Sequence, residues 1–541
     1  MPFPRAAGLL LHPTSLPGGQ GIGDLGQAAL DFVDFMADTG QQLWQMLPLG
    51  PTGYGNSPYM CYSAMAGNPV LISLDKLVQG GWLEAAAVSA LQFPAHDWVD
   101  YDGVIPAKLA LLQKAAQVFK EKATPEDHAK FRQFCQAMAF WLPTYALYMA
   151  LKDEQENQPW YEWEPGLAWR NPEAITAAEA RLAPQVFSYQ FQQFIFFQQW
   201  SRLRAYANQK GIKMIGDIPI YVAHDSADVW AFPHLFELVP QSPQAVPTVT
   251  GDTESPEKLS PKPGLVAQMA GVPPDYFSET GQLWGNPIYN WQAMEQEGYR
   301  WWIERFRVLF DCMDLIRVDH FRGFEAYWQV PQGEETAIKG EWVKGPGAKL
   351  FEVVQAELGE LPILAEDLGE ITPEVIELRD QFAFPGMKIL QFAFGGGADN
   401  PFLPFNYERN FLVYTGTHDN NTTVGWFAEL GEWEQNRIRD YLGAMTHEGI
   451  HWDLIRLAFS SVANQAIIPV QDLLGLGTPA RMNFPSKPEG NWAWRLRPEE
   501  FQDLQGGLGQ RLKYLTQLYG RYPSPPPETG ATATESDNNG I

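Results

Sequence analysis

The feature that most constrains this chain is a recurring kind of segment. A short apolar run ends in polar residues of the sort that do chemistry, and stretches with helical spacing lie between such runs. Eight runs fit: Gly8–His12, Leu43–Leu47, Lys213–Asp217, Asp314–Asp319, Pro362–Glu366, Met387–Phe392, Phe411–Thr415 and Ala466–Val470. Any one of them would equally suit a buried helix. As a set alternating with helices, they describe a parallel sheet covered on both faces. They predict an α/β fold, a (β/α)8 TIM barrel, in which the C-terminal strand ends build the active site.

Helical spacing is clearest in two stretches. Asp24–Asp38 aligns Leu25, Ala28, Ala29, Phe32 and Phe35, and Glu295–Asp311 aligns Trp302, Phe306, Leu309 and Phe310. The apolar stretch Met138–Leu151, which holds Pro143, reads as a buried helix and is too short to span a bilayer. Two intervals exceed a simple βα unit, about residues 51–200 and 222–294. They predict inserted subdomains between strands two and three and between strands three and four. Within the second, Pro240–Pro263 is rich in Pro, Ser and Thr and reads as a surface insertion. Residues 1–522 then form a single catalytic barrel with its insertions, and residues 523–541 a disordered tail.

Charge narrows the partners. Lys and Arg number 38 against 64 Asp and Glu, a net charge of −26 that argues against nucleic acid and anionic membranes. Cys61, Cys135 and Cys312 are scattered, form no CxxC pair and read as reduced thiols. The apolar run Ala6–Leu11 is too short for a secretion signal. The scarce cysteines and the missing signal predict a cytoplasmic protein; no metal-ligand cluster is visible, so no metal or organic cofactor is expected, and the expected assembly, which no sequence feature fixes, is a monomer or weak homodimer. The 20 tryptophans serve either a core or sugar-binding surfaces, and composition does not choose between them.

Three acids close predicted strand ends: Asp319 in Ile-Arg-Val-Asp-His, Glu366 in Leu-Ala-Glu-Asp-Leu-Gly and Asp419 in Thr-His-Asp-Asn. Glycoside chemistry needs one carboxylate to attack, one acid to protonate the leaving oxygen, and negative charge near an oxocarbenium-like transition state. Arg317 lies two residues before Asp319, so the two side chains share a strand face and the guanidinium keeps the carboxylate ionised. A plain salt bridge lining the barrel would look the same at this level. Glu366, surrounded by negative charge, is the expected proton donor, and Asp367 points the other way.

The chain resembles the 4-α-glucanotransferase family, also called amylomaltase or disproportionating enzyme, within the α-amylase clan of retaining barrels. The resemblance runs from Gly8 to about Trp494 and includes His12-Pro-Thr-Ser-Leu-Pro-Gly, Asn56-Ser-Pro-Tyr59, Gly216-Asp-Ile-Pro-Ile-Tyr-Val, Gly271-Val-Pro-Pro-Asp-Tyr-Phe-Ser278, Gly285-Asn-Pro-Ile-Tyr289, Arg317-Val-Asp-His-Phe-Arg-Gly323 and Thr415-Gly-Thr-His-Asp-Asn-Asn-Thr422. It implies that Asp319 is the nucleophile, Glu366 the general acid/base and Asp419 the transition-state stabiliser. It implies that Arg317 and His418 hold the sugar at the cleavage subsite, with Tyr59 as an aromatic platform and Asp217 binding a neighbouring hydroxyl. Trp284 and Asn286 match a mobile loop covering the glucan, and Tyr54 a secondary glucan groove. The bland alternatives are loop packing for Tyr54 and Trp284, a structural role for His418, and a helix cap or supporting ligand for Asp217. Asn421 departs from the family, which more often has Asp there, and Pro240–Pro263 is longer than the common form. The implied partners are α-1,4-glucans and maltooligosaccharides. A retaining hydrolase and an inactive glucan-binding scaffold are the competing functions.

Overall fold

The computed structural model describes residues 3–18, 20–94, 96–239, 264–274, 278–485, 487 and 489–523. The expectations for Pro240–Pro263 and for residues 524–541 of the tail lie outside the described residues. In chain order the strands are β1 (Ala6–Leu10), β2 (Leu43–Gln45), β3 (Lys213–Pro219), β4 (Gln268–Val272), β5 (Gln282–Pro287), β6 (Leu315–Asp319), β7 (Ala326–Pro331), β8 (Glu341–Lys344), β9 (Ile363–Ala365), β10 (Gly386–Ile389), β11 (Phe411–Tyr414) and β12 (Gln465–Pro469).

Eight strands pair in the order β10-β11-β12-β1-β2-β3-β6-β9, all in parallel. The Ala365 amide donates to the Pro385 carbonyl at 2.9 Å and brings the two sheet ends together. The fold is a nearly closed (β/α)8 barrel, and each of the eight apolar runs supplies one of its strands. Their apolar character follows from position, because β1, β9, β11 and β12 are buried along their whole length.

Local signals explain the helix boundaries. The first helix begins at Gln27 and not at Asp24, because the Asp24 carboxylate is used to accept from the Gly26 amide at 2.8 Å before the first turn. Gly40, at φ +76°, ends it. The stretch around Met138–Leu151 becomes the helix Leu142–Glu154, with Pro143 in the first turn where no amide donor is needed. The expected helix Glu295–Asp311 is two helices, Trp291–Gln296 and Arg300–Cys312, separated by the left-handed pair Gly298 (φ +63°) and Tyr299 (φ +56°).

The excursion between β2 and β3 is helical. Tyr101–Lys122, Pro125–Ala137, Leu142–Glu154 and Pro172–Arg181 precede a 27-residue helix, Ala183–Gln209, that leads into β3. One apolar core runs through this excursion and the barrel, and it buries Trp44, Trp200 and Trp302. Each such burial contributes about 2–3 kcal/mol.

The structure adds an excursion beyond the two expected. β7 and β8 follow β6 and join β5 and β4 in a four-stranded sheet, order β5-β4-β7-β8, antiparallel throughout. The excursion after β3 and the one after β6 therefore share a sheet. β7 and β8 are short and only partly buried, so they do not stand out as continuous apolar runs.

The barrel base is sealed by arginine. Arg521, fully buried, donates to the carbonyls of Ala6, Asn464, Phe459 and Ala463, while Arg5 donates to Phe459, Ser461, Ala463 and Tyr519. No helix among the described residues is long and apolar enough to cross a membrane.

At Gly8 the neighbouring barrel strand leaves no room for a side chain. A Cβ there would sit 2.2 Å from the Leu43 carbonyl oxygen and 2.4 Å from its Cβ. Gly8→Ala is expected to destabilise the protein by about 1–3 kcal/mol, read as a lower urea midpoint. An unchanged midpoint would mean that β1 and β2 are not in this register.

Candidate active site

The C-terminal barrel mouth gathers the predicted acids around one cation. Arg317, on β6, is buried, and its Nη1 donates to Asp217 Oδ2 at 2.6 Å while its Nη2 lies 2.8 Å from Asp319 Oδ1. Burial pulls the guanidinium pKa down, but Asp217 and Asp319 more than offset it and leave it well above its ordinary value. Asp217 sits on β3, where burial pushes its carboxyl up to about 6 despite Arg317. Asp319 is less enclosed, with 29% of its side chain exposed, and one of its oxygens is engaged by Arg317.

Glu366 follows β9. Its Oε2 accepts from the His320 amide at 2.7 Å and its Oε1 from the Leu368 amide at 2.8 Å. Burial, then the charge of Asp319, pushes the carboxyl up to about 8, although Arg317 and the two amides pull the other way. His320 can deliver its amide because it adopts the left-handed conformation, φ +57°. Asp367, the next residue, takes other partners. It accepts from the Met387 amide at 2.7 Å and from Arg379 Nη1 at 2.6 Å, tying β9 to β10.

The loop after β11 supplies the third acid. Thr415 and Thr423 bracket it, and both hydroxyls donate to the buried Asp472 beyond β12, at 2.6 and 2.7 Å. Asp419 Oδ1 accepts from Asn483 Nδ2 at 2.6 Å, its carbonyl accepts from Arg481 at 2.6 Å, and its Oδ2 lies 3.4 Å from His418 Nε2. The Tyr59 hydroxyl bridges the groups, 2.8 Å from His418 Nε2 and donating to Asp217 Oδ2 at 3.0 Å. Its ring stacks on His418 at 5.2 Å and 15°, with Trp492 5.7 Å away. One hydrogen-bonded and ionic chain thus runs Asp319–Arg317–Asp217–Tyr59–His418–Asp419.

Trp284, on β5, sets its ring edge-on to His320 at 4.9 Å and 89°. It touches the residue whose amide holds Glu366. Asn286 is buried, and its amide donates to the Val222 carbonyl at 2.8 Å, pinning β5 to the segment after β3. Tyr54 is 77% exposed on a turn of the first excursion and does not join the chain of contacts. Sequence reasoning missed Asn483, Arg481 and Trp492, which lie in an irregular loop after β12 with no periodicity to mark them. It also gave no role to His12, although His12 ends the first apolar run as the acids end theirs. Among the described residues no group of three or more His, Cys, Asp or Glu is placed to hold a metal.

A parallel barrel that presents clustered carboxyls at its mouth, one pushed to hold its proton and one paired with arginine, defines a glycoside-active enzyme. Comparison with known proteins makes the assignment narrower. The family model for 4-alpha-glucanotransferase matches residues 11–501. A 4-alpha-glucanotransferase of Synechocystis sp. is 51% identical over 96% of this chain and 98% of its own length. One from Thermus thermophilus is 48% identical over 96% and 99%. The solved amylomaltase from Streptococcus agalactiae in complex with acarbose superposes with a TM-score of 0.88 at 36% identity, covering 96% of this chain and all of that one. The chain belongs to the 4-alpha-glucanotransferase family, and its activity is that of a hexosyltransferase.

Asn421 has a local reason to be an amide. Its Nδ2 donates to Glu429 Oε1 at 2.8 Å and to Thr478 Oγ1 at 2.9 Å. Asn421→Asp would set two carboxylates against each other and is expected to cost about 1 kcal/mol, since Glu429 is exposed. Adding Glu429→Gln should restore most of it. Denaturation midpoints that are additive in the double variant would remove this explanation.

Proposed function

We propose that the chain moves segments of α-1,4-glucan to another α-1,4-glucan or to glucose through a covalent glycosyl-enzyme, with residues 1–522 acting as one catalytic unit. The observation that carries the reading is the contrast between two neighbouring carboxyls. Glu366 is buried and pushed up to about 8, so it holds a proton at neutral pH, while Asp319 is partly open and paired with Arg317.

The steps follow from that contrast. The free oxygen of Asp319 attacks the anomeric carbon as Glu366 gives its proton to the departing glycosidic oxygen, and a β-linked glycosyl-enzyme forms. Glu366, now a carboxylate, takes the proton from the 4-hydroxyl of an acceptor. That oxygen re-forms the α-1,4 bond and releases Asp319. Asp419, held by Asn483, stabilises the oxocarbenium-like charge in both transition states. Arg317 and His418 hold the sugar at the cleavage subsite, Tyr59 forms its platform and Asp217 takes a hydroxyl. Trp284 and Asn286 belong to the segment that covers the glucan, and Tyr54 to a secondary glucan groove. The acarbose bound by the Streptococcus agalactiae amylomaltase supports a glucan-shaped groove here. The reading also places the enzyme in the cytoplasm, as a monomer or weak homodimer.

Incubation with maltotriose separates the functions. Glucose plus a ladder of longer chains is expected; glucose and maltose alone would make it a hydrolase, and untouched maltotriose a binding scaffold. Asp319→Asn should lose nearly all turnover yet still bind glucan, and normal turnover would remove Asp319 from the nucleophile's role.

The pH profile reports Glu366. A general acid must be protonated in the free enzyme, so kcat/KM should hold through neutrality and fall as pH rises through about 8. Glu366→Gln should lower transfer by about 10²–10⁴-fold. A profile that is flat to pH 10 would assign the proton donor elsewhere.

A further inference from the structure

Behind His418 lies a cavity of about 30 Å³, lined by His12, His418, Asn421 and Trp494 among others. His12 and His418 are both more than nine-tenths buried, and the Nδ1 atom of each has no hydrogen-bond partner in the protein. The Asn421 side-chain oxygen, on a residue of the same lining, is also unpaired. Buried ring nitrogens without partners are costly, and a space of this size with such unpaired polar groups among its lining residues takes about one water.

The protons of the site fix which way His418 must be satisfied. The Tyr59 hydroxyl has one proton, and it goes to Asp217 Oδ2. It must then accept from His418 Nε2, 2.8 Å away, and Asp419 Oδ2 at 3.4 Å is a second acceptor for the same nitrogen. The His418 proton therefore sits on Nε2, and Nδ1 is left as a bare, buried acceptor on a residue that lines the cavity.

We propose that this cavity is an ordered-water site in which a water donates to His418 Nδ1 and hydrogen-bonds His12 Nδ1, making His12 a positioning residue for the cleavage subsite. Burial, then the neighbouring His418, pulls the His12 pKa down to about 3, so that ring is neutral and does not repel its partner. The water locks the His418 tautomer, and the locked tautomer keeps the Tyr59 hydroxyl donating to Asp217. The proposal rests on His418 holding the sugar, but its physical claim is independent of substrate.

Nitrogen-15 spectra of the histidine rings in the unliganded protein test that claim separately from activity. The wild type should show His418 as the Nε2–H tautomer. His12→Phe keeps the ring's bulk and removes the polar atom, and should shift the His418 ring signals and lower kcat about tenfold, a loss of about 1.4 kcal/mol, with KM little changed. His12→Asn returns a hydrogen-bonding atom near Nδ1 and should restore both. A purely packing role predicts the reverse order, Phe tolerated and Asn harmful. Unchanged His418 signals in His12→Phe overturn the proposal. If that variant fails to fold, a crystal structure of the wild type decides: density between the two Nδ1 atoms supports it, and a dry cavity overturns it.

Discussion

The barrel mouth depends on one buried guanidinium. Arg317 is the shared partner of Asp217 and Asp319, and its charge allows two carboxylates to stand side by side where water is scarce. Removing one partner of such a buried pair commonly costs about 3–5 kcal/mol, because the remaining charge is stranded. The single positive charge also sets a limit. It serves two acids, and it does not suffice for a third, so burial and Asp319 drive Glu366 to keep its proton. The contrast between the two neighbouring carboxyls follows from one cation being shared among three acids.

The excursions are built around that mouth. β6 carries Arg317 and Asp319, and the chain leaves it through His320 to enter β7. β7 pairs with β4, and β4 with β5, which carries Trp284 back to rest against His320. The antiparallel sheet thus meets His320 twice, where the chain leads into β7 and where Trp284 of β5 rests on its ring. A displacement of β5 would reach the Glu366 carboxyl through two rings and one hydrogen bond.

Legibility in the sequence followed the range of the interaction. The eight barrel strands were readable because they are largely buried and written in mostly apolar residues. Arg317 beside Asp319 followed from the two-residue period of a strand. What could not be read were contacts made by chain far from the strands. Asn483 reaches Asp419 from an irregular loop, and the left-handed His320 offers its amide to an acid 46 residues ahead. The break at Gly298–Tyr299 was obscured because apolar spacing continues across it, and β7 and β8 were hidden because half-buried strands leave no continuous run. The resemblance to a family supplied the substrate class, which the acids alone did not determine.

The arginine seal at the barrel base has a topological consequence. Arg521 donates to the carbonyl of Ala6, so the last described turn and the first strand meet on the face opposite the carboxyls. The order in which the eight βα units are synthesised is therefore separable from the order in which they stand in the ring. A circular permutant that joins the two meeting points with a short linker and opens the chain at an exposed loop would keep every neighbour in place. In such a molecule the mouth would be unaltered, and the base would change from a hydrogen-bonded junction into a continuous piece of backbone.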